Sequence, residues 1–161
     1  MSGIIGAAGS KSGVIGTTEL DYEEGTFTPY YTRGGVIVAE GTGTNQVTYS
    51  VQKGIYTKIG KLVVASIEIT ITADVLSDGL MCVSLPFTAV GTYHHGAYVS
   101  WSRYWGSAEA PTHAQVYPAN THIEFIRSVS ADARDNIYSS VGGSSMTANS
   151  QVRLQATYRV A

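Results

Sequence analysis

The sequence predicts an all-β fold, an antiparallel β-sandwich of jelly-roll type with a short extended N-terminal arm, and three observations lead there. From Asp21 onward apolar residues recur with a period of two rather than 3.6. Glycine is frequent, 18 residues among 161, and marks turns between the apolar runs. Only Ser130 to Ile137 has the composition of a helical turn or two. No internal repeat of roughly 20 to 50 residues suggests a solenoid.

The arm comes first. Gly3, Gly6, Gly9, Gly13 and Gly16 fall every three or four residues, a density that disfavours helix and strand interiors. Residues 1–20 therefore read as an extended arm, with Ile4, Ile5, Lys11, Val14 and Ile15 as the side chains that could order on a partner, and residues 21–161 as one β-domain. In the domain, Val63, Ala65, Ile67, Ile69 and Ile71 alternate with Val64, Ser66, Glu68, Thr70 and Thr72. Val152, Leu154, Ala156, Tyr158 and Val160 repeat the pattern near the C-terminus. Both are half-buried strands. Further strands are expected over 26–32, 35–39, 46–51, 54–59, 80–87, 97–103, 113–117 and 121–129. Turns are expected at Arg33-Gly34-Gly35, Lys53-Gly54, Ile59-Gly60-Lys61 and Pro118-Ala119-Asn120.

Composition bounds the function. With 43% hydrophobic and 14% charged residues the chain has an ordinary core, and the single Cys82 excludes a disulfide scaffold. Ten Lys and Arg against twelve Asp and Glu leave a formal charge of −2, without the basic field a nucleic-acid partner requires. No apolar run reaches the roughly 18 residues of a membrane helix, and the N-terminus lacks the cationic segment of a secretory signal. Synthesis in a reducing cytoplasm is the expectation.

Three blocks occur in order: Asp21-Tyr22-Glu23-Glu24-Gly25-Thr26-Phe27-Thr28-Pro29, then Gly54-Ile55-Tyr56-Thr57-Lys58-Ile59-Gly60-Lys61-Leu62-Val63, then Ser84-Leu85-Pro86-Phe87-Thr88. Together they resemble a module of tailed-bacteriophage virion proteins, and the segment Gly9 to Gly16 is similar to leaders found ahead of such modules. The resemblance covers about residues 1 to 88, with Phe27 where the family often has Trp. It implies a structural or adhesive virion protein, β-sandwich in fold and commonly trimeric. The blocks also read structurally: Phe27 enters the core and Pro29 ends its strand, Gly60 turns a hairpin, and Leu85-Pro86-Phe87 closes a strand on an aromatic.

Candidate chemistry is sparse. His94, His95, His113 and His122 are the nearest approach to a metal set, but adjacent strand histidines face opposite ways, and no metal or other cofactor is expected. Glu19, Asp21, Glu23 and Glu24 cluster at the arm junction without a calcium-loop pattern. Ser144 and Ser145 lack a nucleophile-elbow context, Cys82 sits in an apolar strand, and no carboxylate pair stands out, so an enzyme is not expected. The aromatic stretch from Tyr93 to Trp105 is the best candidate surface. Alternation there places Ala97, Val99 and Trp101 inward, Tyr98 outward, and Tyr104 and Trp105 in a following loop. Tyr98, Tyr104 and Trp105 then suit a subunit interface or a glycan site.

These readings lead to two expectations. The first is a homotrimeric capsid decoration (cement) protein on the outer head surface, its arm lying on the major capsid protein and its many copies stabilising the shell. The alternative is the receptor-binding, glycan-recognising tip of a tail fibre or spike. The short distance from Met1 to the first strand weighs for the first, since a fibre needs a shaft.

Overall fold

Alternation over 63–71 buries one face of a strand, and the structure realises it without exception: Val63, Ala65, Ile67, Ile69 and Ile71 are all 4% exposed or less. Burial of each Val or Ile side chain in this row contributes about 1.5–3 kcal/mol. The structure, a computed structural model, describes residues 21–33, 36–41, 46–74, 80–106, 110–128, 138–140 and 146–161. The expected arm and the helical turn near 130–137 lie outside the described residues.

Twelve strands are seen among these residues. They are β1 (Tyr22–Phe27), β2 (Tyr31–Arg33), β3 (Val36–Ile37), β4 (Ala39–Glu40), β5 (Gln46–Ile59), β6 (Leu62–Asp74), β7 (Met81–Ser84), β8 (His95–Trp105), β9 (His113–Val116), β10 (His122–Ser128), β11 (Tyr138–Ser140) and β12 (Met146–Arg159). The all-β, antiparallel class is as expected, with the short β4–β5 pair the one parallel exception among the described pairs. The two-layer sandwich is replaced by one hydrogen-bonded sheet in the order β1-β5-β6-β12-β8-β9-β10-β7-β2-β3, with β4 attached to β5 and β11 to β10. That sheet curls into a half-barrel.

Side chains inside the curl explain the shape. Strands β2 and β5 are far apart in the hydrogen-bonded order, yet Tyr31 stacks on Tyr49 at 6.1 Å and its backbone N–H donates to the Tyr49 hydroxyl at 2.9 Å. Tyr31 also meets Phe125 of β10 edge-on, and Phe125 meets Trp105 of β8 at 5.9 Å. Gln52 Nε2 donates to the Pro29 carbonyl across the same gap. These aromatic contacts hold distant strands face to face without a second sheet.

Three local expectations are corrected. The segments 46–51 and 54–59 are one continuous strand, β5, because Gly54 is not a turn residue: it is buried and pairs with Ile67. Strand β1 begins at Tyr22 and ends at Phe27, so Pro29 lies beyond its end; the acidic Tyr22-Glu23-Glu24 stretch is drawn into strand by the edge of β5. The segment 80–87 is strand only over β7, since Pro86 cannot continue a ladder. The Gly60 hairpin and the 118–120 turn are as expected, with φ of +56° at Gly60 and +55° at Ala119.

The three sequence blocks converge in space. Phe27 lies over Gly54, the Tyr56 ring lies over Gly25, and Tyr56 meets Phe87 edge-on at 4.9 Å. The Tyr56 hydroxyl donates to Glu23 Oε1 at 2.6 Å, which holds it above the usual phenol range. Lys58 Nζ reaches Asp21 at 2.9 Å and Glu23 at 3.8 Å, and the Asp21 hydrogen bond raises its ammonium pKa. The blocks thus form one aromatic and ionic seam joining β1, β5 and the segment after β7. Their structural reading is what the contacts show.

Candidate functional site

The outer face of the β5-β6-β12-β8 region is built by strand register. Ile55, Ser66, Gln155 and Tyr98 fall in one row across four strands, and Lys53, Glu68, Arg153 and Trp101 in the next. Both rows stand opposite the buried row of Ile67 and Leu154. Cross-strand neighbours on one face lie about 4.5–5.5 Å apart, so the eight side chains make a contiguous surface.

Trp101 joins this surface because β8 is bulged. Leu154 pairs with Val99 and the adjacent Arg153 with Trp101, leaving Ser100 as an extra residue whose hydroxyl donates to the Arg153 carbonyl at 3.2 Å. A bulge resets the in–out alternation. Trp101, expected inward by strict alternation, is therefore outward and 46% exposed, on the same side as Tyr98 at 55%.

Between these rows runs an open groove of about 380 Å³, lined among others by Lys53, Ile55, Glu68, Tyr98, Arg153 and Gln155. Its polar groups are held in place. The Tyr98 hydroxyl donates to Gln155 Oε1 at 2.7 Å, and Gln155 Nε2 reaches Ser66 Oγ at 3.4 Å. Arg153 donates from Nε and Nη2 to the same Glu68 oxygen, Oε1, at 3.0 and 2.8 Å. Among the described residues Glu68 Oε2, Arg153 Nη1 and the exposed Lys53 ammonium have no hydrogen-bond or ion-pair partner within the protein and remain for an incoming group. A flat exposed ring beside fixed donors and acceptors is chemistry that holds a polyhydroxylated ligand by stacking and hydrogen bonding.

Tyr104 and Trp105 lie within β8, not in a loop, and differ from each other. Tyr104 is 48% exposed at φ +59°, with the Arg103 guanidinium 4.3 Å above its ring. Its carbonyl accepts hydrogen bonds from the Thr147 and Ser150 hydroxyls, which hold the left-handed backbone in place. Trp105 turns in: its ring packs on Phe125 and its Nε1 donates to the Gln151 carbonyl at 3.0 Å. Of the three aromatic candidates, Tyr98 alone lines the groove. Residues Ile4, Ile5, Lys11, Val14 and Ile15 lie outside the described residues.

The histidines do not converge on a metal position. The His94 ring meets Tyr117, His95 Nε2 donates to the Val90 carbonyl, and His113 bonds Thr112, and no group of three metal-ligating side chains is found among the described residues. His122 is buried, stacked on Tyr117 and two residues from Glu124. Burial lowers its pKa and Glu124 partly opposes that. The folded state thus favours neutral His122, so its contribution to stability is present above the unfolded value of about 6.5 and is lost as pH falls through the lower folded value. Thermal melting followed from pH 7.5 to 5.5 is expected to show the midpoint falling, with a shallower slope for His122→Gln; equal slopes would exclude His122 as the source.

No protein-family model matches the chain, and no curated protein matches it in sequence. Among solved structures the chain is similar to the crystal structure of the Dettilon tailspike protein (gp208), with a TM-score of 0.63, 16% sequence identity, and coverage of 86% of this chain. The chain spans 24% of the length of that tailspike. At this identity the likeness is one of fold: the half-barrel is an all-β arrangement that also occurs within a tailspike.

Proposed function

We propose that this domain is a receptor-recognition module of a tailed-phage virion, belonging to a tail fibre or spike and binding saccharide on its outer sheet face. The observation that carries the reading is the groove beside Tyr98, where an exposed aromatic ring stands among hydrogen-bonded Gln, Arg, Glu and Ser side chains on a rigid sheet. The fold likeness to a tailspike and the three-block resemblance to phage virion modules support the same placement. A role at the capsid surface drew on residues 1–20, outside the described residues, and has less support than the tail reading. Association as a homotrimer is a further part of the proposal. A non-catalytic role is part of the proposal; among the described residues the groove is lined by one carboxylate, Glu68, already held by Arg153.

The test is co-sedimentation of the purified chain with candidate host cells and with polysaccharide extracted from them. Wild-type protein is expected to pellet with both, and Tyr98→Ala and Trp101→Ala are each expected to weaken binding about 5- to 30-fold, the range for losing about 1–2 kcal/mol of contact. Both side chains are exposed, so the variants should melt like the wild type. Binding unchanged in the double variant would exclude this face.

A further inference from the structure

We infer that the groove selects an anionic saccharide, with a sugar carboxylate seated between Lys53 and Arg153 and the adjoining ring on Tyr98; this rests on the receptor-recognition reading and adds the charge of the ligand.

The argument is one of charge and of unused hydrogen-bonding capacity. The chain as a whole carries a formal −2, but the groove gathers Lys53 and Arg153 against Glu68 alone, a local excess of one positive charge. Lys53 and Glu68 are register partners on β5 and β6, yet Glu68 is bonded by Arg153 from the other side, from β12, and the Lys53 ammonium forms no ion pair among the described residues. A third strand thus takes the carboxylate that cross-strand pairing would assign to Lys53. Two exposed cations, one Lys and one Arg, would be ordinary on a solvated surface. Here Lys53 and Arg153 line one groove together with Tyr98, which stands on its β8 side.

The Glu68–Arg153 pair also acts as a positioning device. Because both guanidinium bonds end on Oε1, the guanidinium plane is fixed while Nη1 stays available to a second acceptor. Glu68 Oε2 supplies an acceptor for a sugar hydroxyl beside it. A carboxylate bound by both cations would make charge-assisted hydrogen bonds, stronger than neutral ones, while the remaining hydroxyls meet Glu68, Gln155 and Ser66. The span from Ile55 on β5 to Tyr98 on β8 is three inter-strand steps, about 14 Å, which accommodates a short stretch of polysaccharide laid across the strands.

The experiment uses the full chain against an array of uronate-containing polysaccharides, alginate, polygalacturonate, hyaluronan and heparosan, together with the candidate host's own surface polysaccharide. Each is presented in its native form and after carboxyl reduction, which converts uronate to neutral hexose without changing linkage. At least one native glycan is expected to be retained, with its reduced form weaker by about tenfold or more. Lys53→Gln is expected to lose the same factor on the native form and little on the reduced form, and raised salt should erase the difference. Equal retention of native and reduced forms, or retention of neutral glycans only, overturns the anionic assignment and leaves receptor recognition standing. Retention of none overturns both.

Discussion

Phe125→Ala is expected to lower stability by about 3–5 kcal/mol, the cost of emptying a buried aromatic site. Phe125 is fully buried and is the ring on which the curl of the sheet depends, since Tyr31 of β2 meets it at 6.2 Å and Trp105 of β8 at 5.9 Å. Its removal therefore subtracts hydrophobic burial and two edge-on ring contacts together. For a chain of this size each kcal/mol moves the melting temperature by about 2–4 °C, so the midpoint should fall by about 6–20 °C. Phe125→Leu, which keeps most of the volume, should cost far less. Calorimetric or circular-dichroism melts of the two variants check this, and a fall below about 3 °C for the alanine variant would mean that the curl is held elsewhere.

The second large effect is expected at Gly54, where alanine should destabilise by about 1–3 kcal/mol although it is ordinarily the better strand residue. The backbone there does not require glycine, since Gly54 is not among the positive-φ positions. Space is the constraint: a Cβ would lie 2.5 Å from Phe27 Cε1 and 2.7 Å from Cδ1 and Cζ. The ring has little room to yield, because Tyr56 is packed against Phe27 and itself wedged on Phe87. Truncating Phe27 as well should recover part of the Gly54→Ala loss, and a double-mutant cycle measures that coupling. An additive cycle would show that the two residues do not constrain each other.

Gly54 also shows where reading the chain from one end stops working. A Lys-Gly pair between two apolar runs has the local signature of a turn, and only the ring arriving from β1 explains why the position is small. By contrast, β6 and β12 were legible because alternation is a local property that burial on one face enforces residue by residue. Sheet closure was not. Whether antiparallel strands form two layers or one curled sheet is decided by pairs such as Tyr31–Tyr49 and Tyr31–Phe125, whose members carry no local sign of each other. The candidate site divides the same way. Tyr98 follows from alternation along β8, but Glu68 and Arg153, 85 positions apart, meet only through the β6–β12 register. Trp101 was misassigned because an extra residue in a strand leaves no mark in composition, and Trp105 was read as exposed because its partner, the Gln151 carbonyl, is backbone.

The bulge at Ser100 bears on how such a surface can diversify. Because Ser100 is the unpaired residue, deleting it would leave Val99 opposite Leu154 and Trp101 opposite Arg153, so β8 would keep its register and its outward and inward side chains on both sides of that point. A single codon lost there thus shortens β8 by one residue without carrying the side chains beyond it to the other face. The strand can therefore change length at this position with Tyr98 and Trp101 still on the outer face and the buried rows of β6 and β12 retained as the frame.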